Sequence, residues 1–224
     1  MNATPRFLNV EKIEHPRKTV VPLAIGLSWE HDGAIYQEKI DGVFTGREFG
    51  GGPMMAGGAL LAGDTLPSGR FVAWDCLAFD GQDLRSIPAW ERLNALIAVC
   101  RRFEVRRAQE SMNGGALLQD VLARGGEGVV RKLASASYFD PMEAAKWLQT
   151  WRCVVTALDY STGGARIADE LTGEDRGTVP LRNRAMACRV GSLVKVEGME
   201  LTAAGKIREP RPCKDTETSW LIQY

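Results

Sequence analysis

Apolar and polar positions alternate along Ala34-Ile35-Tyr36-Gln37 with the period of two that a half-buried strand requires. The strand predicted there runs into Glu38-Lys39-Ile40-Asp41-Gly42. Residues two apart on a strand share a face, so Gln37, Lys39 and Asp41 are expected to point together. Gly42 lets the backbone turn or come close to a ligand. Ahead of this strand, residues 1–33 read as irregular structure around short strands, punctuated by Pro16, Pro22 and Gly26. Behind it come residues 44–49 and the turn-like Gly50-Gly51-Gly52-Pro53. Ala59-Leu60-Leu61 and Phe71-Val72-Ala73-Trp74 then read as strands on either side of a turn at Pro67-Ser68-Gly69.

From residue 88 to 105 the period becomes helical, with Trp90, Leu93, Ile97 and Cys100 predicted to share the buried face. Pro88 suits the first turn of that helix. A second, shorter helix is expected over residues 115–122, ended by Arg124-Gly125-Gly126. Past Trp151 the texture changes to short β-type runs at 153–158, 165–167, 177–179 and 192–196, with turns at Gly163-Gly164, Gly173, Asn183 and Gly191. So many short strands in so short a stretch suggest a small closed barrel, the five-stranded nucleic-acid-binding type being one candidate, or else a β-rich extension of the first domain's sheet.

Composition narrows the chemistry. A chain of 224 residues, 45% hydrophobic and 25% charged, is ordinary for one globular domain or two small ones. With 28 basic and 28 acidic side chains its formal charge is zero, so bulk charge predicts no nucleic-acid partner and any basic surface must come from uneven distribution. Two such clusters are present, Arg101-Arg102 with Arg106-Arg107, and Lys206, Arg208, Arg211 and Lys214. The cysteines Cys76, Cys100, Cys153, Cys188 and Cys213 are odd in number and never paired as Cys-x-x-Cys, which points to reduced thiols in a cytoplasm rather than to disulfides or zinc. The start lacks a signal-like apolar run and no stretch is long and apolar enough to span a bilayer, so a soluble cytoplasmic protein without a membrane partner is expected. His15 and His31, the two histidines, read as surface or loop residues and leave little for a catalytic triad or a multi-histidine metal site. No Gly-x-x-x-x-Gly-Lys-Ser/Thr loop occurs, so ATP, if used, is not held as a P-loop enzyme holds it.

A lysine fixed on a strand beside an acid and a permissive glycine is a candidate covalent nucleophile. Three later stretches have the character of a site. Residues 71–85 carry Trp74-Asp75 and Phe79-Asp80-Gly81-Gln82-Asp83-Leu84-Arg85, Gly126-Glu127-Gly128-Val129-Val130-Arg131-Lys132 sets an acid and a lysine around a short apolar strand, and Ala144-Ala145-Lys146-Trp147 precedes the β-rich tail. In this order, with Lys39-Ile40-Asp41-Gly42, they resemble the motifs of covalent nucleotidyltransferases, and specifically of minimal ATP-dependent DNA ligases of bacteria or their phages. The match runs over residues 36–220.

The resemblance implies an α+β chain. An adenylation domain of two antiparallel sheets with helices would occupy residues 1–150, followed by a C-terminal OB-fold β-barrel over 151–224. It also implies the reaction. Lys39 would attack the α-phosphate of ATP, the AMP would pass to the 5′-phosphate of a nick, and the 3′-hydroxyl would displace AMP and seal the strand. Lys132 and Lys146 would act with Lys39 and supply cations to the transferring phosphoryl group. Glu127 and Asp64 would hold Mg2+ or Mn2+ through hard oxygen ligands. Trp74 stands where the family stacks an aromatic on adenine, or is simply core. Gln37 would bond the base edge, Glu38 falls among the nucleotide-binding residues, and Arg47 would meet the ribose or a phosphate of the nick. The partner would be nicked duplex DNA, met by Arg47, Arg101, Arg102, Lys206, Arg208, Arg211 and Lys214, and the protein would act as a monomer.

Three positions depart from the family's pattern. Phe44 stands where an arginine is usual, and Ala144 replaces the first of two lysines in the fifth motif. The acid of the next strand is either Asp64, from Ala62-Gly63-Asp64, or missing, if Gly57-Gly58-Ala59 is the matching stretch. Alternatives to a DNA ligase are an RNA ligase or other nucleotidyltransferase, or a nucleic-acid-binding module that has lost its chemistry.

Overall fold

The computed structural model describes residues 13–21, 26–30, 32–181, 188–213 and 221–222, so His31 and Lys214 lie outside the described residues. The chain divides into two compact units, Met1–Lys146 and Trp147–Tyr224.

In the first unit, β1 (Lys18–Val21), β2 (Ala34–Lys39), β8 (Glu110–Ser111), β9 (Gly128–Leu133) and β10 (Met142–Lys146) form one sheet in the order β1-β10-β9-β2-β8. The other holds β3 (Val43–Phe49), β4 (Ala59–Thr65), β5 (Phe71–Phe79) and β6 (Gln82–Asp83) in sequence order, with β7 (Arg106–Arg107) added beside β5. Both sheets are antiparallel except at an edge. The β1–β10 and β5–β7 pairs run parallel, which corrects the expectation of wholly antiparallel sheets. Short segments entering from elsewhere in the chain supply these edges, and nothing in their local sequence sets their direction.

Helix α1 (Ala89–Arg102) packs on the outer face of the β4–β5 sheet, where Leu61, Phe71, Ala73 and Cys76 meet Leu96, Val99 and Cys100. Helix α2 (Gly114–Ala123) packs on the outer face of the β2–β9 sheet, where Trp29, Tyr36 and Val129 meet Leu117, Leu118 and Val121. Asn113 caps α2 by accepting a 2.8 Å hydrogen bond from the Ala116 amide. The inner faces of the two sheets look at each other. β2 is therefore covered on both sides, and Ala34, Ile35, Tyr36 and Gln37 are all buried rather than alternating with solvent.

The buried stripe of α1 also differs from expectation. It is Ala89, Arg92, Leu96, Val99 and Cys100, while Trp90 is 51% exposed. Arg92 is responsible. Its guanidinium donates through Nε and Nη2 to the Asp75 carboxylate of β5 at 2.9 and 3.0 Å, and through Nη1 to the carbonyls of Ile87 and Ala136. A polar residue with every partner waiting inside rotates the helix away from the face its apolar residues would choose.

The second unit is built on β11 (Gln149–Asp159), β12 (Gly164–Asp169), β13 (Asp175–Pro180), β14 (Leu193–Gly198), β15 (Arg211–Pro212) and β16 (Leu221–Ile222). The order is β13-β12-β11-β14-β15, with β16 also on β14, and every pairing is antiparallel. Among the described residues no pairing joins β13 to β15. One face carries the core, with Cys153, Val155, Ile167, Val179, Val194 and Val196 recurring at every second position as a single-sided sheet demands. All five cysteines are buried. No helix among the described residues is long and apolar enough to cross a membrane.

Candidate active site

The inner faces of the two sheets of the first unit meet in a cleft lined by Lys18, Gln37, Glu38, Lys39, Ile40, Asp64, Trp74, Val130, Lys132 and Met142. Each wall follows from strand geometry. On β2, Gln37 and Lys39 share the inner face, as their spacing predicts, whereas Asp41 lies past the end of the strand and is exposed. Gly42 is forced by its neighbour strand, because a Cβ there would lie 2.8 Å from the Thr65 carbonyl oxygen. On the opposite wall the β4–β5 register slips between Ala62 and Gly63, whose partners are Asp75 and Ala73, so Trp74 is the extra residue of a bulge. Its carbonyl accepts from Gln37 Nε2 at 3.0 Å and Lys132 Nζ at 3.5 Å. Gly128 (φ +154°) opens β9 so close to β10 that a Cβ would overlap the Ala145 carbonyl. That approach brings Glu127 to the lysines.

The charges are arranged in two sets. The Glu127 carboxylate, with a side chain only 2% exposed, accepts from Lys39 Nζ at 2.6 Å through Oε2 and from Lys146 Nζ at 3.4 Å through Oε1. Deeper in, Lys132 Nζ lies 3.4 Å from Asp75 Oδ2, which Arg92 already holds. Burial pushes Lys132 below the ordinary lysine range. Asp64 accepts the Trp74 indole N–H at 2.8 Å, and burial raises its carboxyl above the usual range.

The Trp74 ring belongs to the core cluster of Ile40, Leu60, Ala62 and Tyr138 and lines the cleft as well. Tyr138 stacks on it at 6.3 Å and 10°, and the ammonium groups of Lys132 and Lys18 stand 5.6 and 5.9 Å from its centroid. Phe44, at the departure from the family pattern, lies 5.9 Å from Trp74. His15, expected at the surface, keeps an exposed edge, but its ring packs on Phe44 at 4.8 Å, and burial lowers its pKa.

Of the residues singled out from sequence, the structure brings together Gln37, Glu38, Lys39, Asp64, Trp74, Glu127, Lys132 and Lys146. The Glu38 carboxylate is turned to Arg124 at 2.8 Å. Arg47 is not brought in. It lies on the outer face of its sheet, its guanidinium 4.8 Å over the Phe71 ring. Arg101 and Arg102 are exposed at the end of α1. In the second unit each of Lys206, Arg208 and Arg211 is paired with an acid, Asp175 at 2.8 Å, Glu200 at 2.9 Å and Glu197 at 3.1 Å. Sequence reading missed Lys18, Arg92, Glu110 and Tyr138. An aromatic pair, Tyr138-Phe139, after the Glu127 strand and an arginine inside an apolar helix were the available signals. Lys18 offered none.

The donors present bear on the ligands such a cleft would take. A flat apolar wall of Trp74, Ile40, Val130 and Met142 beside several lysines suits a planar base carrying phosphates. Among the described residues no three histidine, cysteine or acidic side chains converge as a metal site. Glu127 and Asp64 are two hard oxygen donors, which fits a cation completed by phosphate oxygens rather than one caged by protein alone.

No family model matches the chain. Among curated proteins it is 32% identical over 159 residues to a "Probable DNA ligase" of Sorangium cellulosum (strain So ce56), a span that covers 67% of this chain and 28% of that protein. It is also 33% identical over 118 residues to a "Probable DNA ligase" of Anaeromyxobacter dehalogenans (strain 2CP-1), covering 50% of this chain and 19% of that protein. The matched spans thus take in less than a third of either relative. Among solved structures, a Lig E DNA ligase from a study of DNA binding with a minimal scaffold superposes with a TM-score of 0.62 at 16% identity, over 90% of this chain and 99% of that one. A mycobacterial DNA ligase D complexed with ATP and MES gives 0.55 at 13% identity, over 97% and 100%. At such identities the likeness shows the fold, which is that of these ligases. The resemblance carried by the ordered motifs is borne out, in sequence by the named relatives and in fold by the solved neighbours.

Proposed function

We propose that this chain is an ATP-dependent DNA ligase that seals nicks in duplex DNA. One observation carries the reading. Lys39 ends a strand buried on both sides, its ammonium on a Glu127 carboxylate that Lys146 shares, in a cleft that also holds Lys132 and Trp74. To attack, Lys39 must leave that pair and lose a proton, and Lys146 on the other oxygen of Glu127 can keep the carboxylate compensated when it does. Its nitrogen would then bond the α-phosphorus of ATP while the bond to the β-phosphate oxygen breaks and pyrophosphate leaves. The AMP passes to the 5′-phosphate of the nick, and the 3′-hydroxyl displaces it. Lys132 and Lys146 place positive charge where the phosphoryl oxygens gain negative charge. Gln37 faces the base edge, and Trp74 supplies the apolar wall against it. Mg2+ or Mn2+, when bound, would draw charge from the phosphates, with Glu127 and Asp64 as the carboxylates in reach.

In this reading Met1–Lys146 is the adenylation domain and Trp147–Tyr224 an OB-fold domain, the protein working as a monomer in the cytoplasm. Exposed Arg101 and Arg102 are free to meet DNA phosphates. Lys206, Arg208 and Arg211 would have to exchange an acid for a phosphate, which lowers their net gain.

The test is sealing of a labelled nicked duplex with ATP and Mg2+, beside intact mass after ATP alone. The wild type should seal and gain one AMP, and Lys39→Ala should do neither. A Lys39→Ala protein that still seals from ATP overturns the lysyl-adenylate. A wild type that binds DNA but never gains AMP overturns the ligase and leaves a binding module.

A further inference from the structure

Lys18 is the cleft lysine for which the reading above has no use. It sits on β1, opposite Met142 of β10 in the parallel register, and both side chains line the cleft. The other lysines there have acids: Lys39 and Lys146 share Glu127, and Lys132 has Asp75. Lys18 has no ion-pair partner among the described residues, and its ammonium rests 5.9 Å from the Trp74 centroid. Asp64 and Glu127, the acids that favour its charge, are already engaged, Asp64 by the Trp74 indole and Glu127 by Lys39 and Lys146.

The neighbouring strand shows why a cation is wanted here. Met142, Ala144 and Lys146 share one face of β10, and the middle position carries no charge. Lys18, one strand over, restores positive charge to that wall. A half-buried ammonium without a counter-ion is costly, and an arriving anion removes the cost.

We propose that Lys18 binds a phosphate of the nucleotide in this cleft, as the cation that Ala144 does not provide. This rests on the nucleotide-binding reading above and adds a residue to it. Burial and the nearby Lys39 lower Lys18 to about 8, the state expected of a cation waiting for an anion.

The test compares wild type, Lys18→Ala and Lys18→Arg by calorimetric titration with adenosine and with α,β-methylene-ATP, which cannot transfer AMP, at fixed Mg2+. Loss of one charge-assisted contact should weaken the triphosphate analogue by about tenfold to a hundredfold in Lys18→Ala. Adenosine binding should be unchanged, and Lys18→Arg should recover most of the loss. Equal losses for both ligands would overturn the proposal by placing Lys18 at the base through Trp74. So would a Lys18→Ala protein that binds the analogue like wild type while wild type still forms its adenylate. A wild type that binds neither ligand nor gains AMP would overturn the nucleotide reading itself.

Discussion

Replacing Arg92 by methionine should weaken what holds the cleft, although Arg92 does not line it. The side chain is 1% exposed and spends its donors on Asp75 (2.9 and 3.0 Å), the Ile87 carbonyl (2.6 Å) and the Ala136 carbonyl (3.0 Å). Hydrogen bonds to a charged group contribute about 1.5–3 kcal/mol each. They do not simply add, because Asp75 would keep the Cys76 amide at 2.9 Å and Lys132 at 3.4 Å. The expected loss is therefore that of breaking a buried ion pair by removing one partner, about 3–5 kcal/mol. A domain of this size holds about 5–15 kcal/mol, so the variant should survive but with a much lower urea midpoint. Urea unfolding followed by circular dichroism measures the loss, and hydrogen exchange in β5 and α1 assigns it to the first unit. Asp75→Asn in the same chain should recover at least about 1 kcal/mol, because a buried carboxylate left with one long ion pair, to Lys132 at 3.4 Å, is gone. An Arg92→Met protein within about 1 kcal/mol of wild type, or a double variant no better than the single, would refute the reasoning.

Two further outcomes are expected. Gly128→Ala must push β9 from β10, since its Cβ would overlap the Ala145 carbonyl; it should cost about 2–4 kcal/mol in urea unfolding and reduce AMP uptake, because Glu127 and Lys146 flank the contact. Lys18→Met should raise the melting temperature at pH 7. Lys18 is lowered from 10.5 to about 8, so the folded state pays for its charge at any pH below about 8. Between about 8 and 10.5 the folded protein has released that proton while the unfolded chain keeps it, so wild-type stability rises with pH and the gap to the variant closes. Discounted for solvent at a half-buried group, the gap at pH 7 should be about 1–2 kcal/mol. A gap that does not shrink by pH 10 would point to packing rather than charge.

Much of this protein is decided locally. The strand begun at 34–37, the apolar run of β5, the helix ends marked by Pro88 and by Arg124-Gly125-Gly126, and the spacing that puts Gln37 and Lys39 on one face are all properties of a few consecutive residues. They survive folding because backbone period is set by neighbours. The order of the motifs was likewise legible, and with it Glu127, Lys132 and Lys146. The fold sets Asp64 against the Trp74 indole in the cleft and Gly57 in a turn, placements that local sequence did not give.

What required the tertiary structure is every property that depends on a distant partner. Arg92 is buried because Asp75 waits on another element, so the apolar stripe of α1 turns away from Trp90. Arg47 lies outside the cleft because β3 shows it to Phe71. The basic tail is muted because Asp175, Glu197 and Glu200 fold onto it. Lys18 becomes a cleft residue only when β1 lies parallel to β10, an edge pairing that no local pattern encodes. Sequence alone fixes which groups are present and on which side of their own strand they stand; pairing between strands decides which charges meet, because an ion pair depends on distance through space and not on distance along the chain.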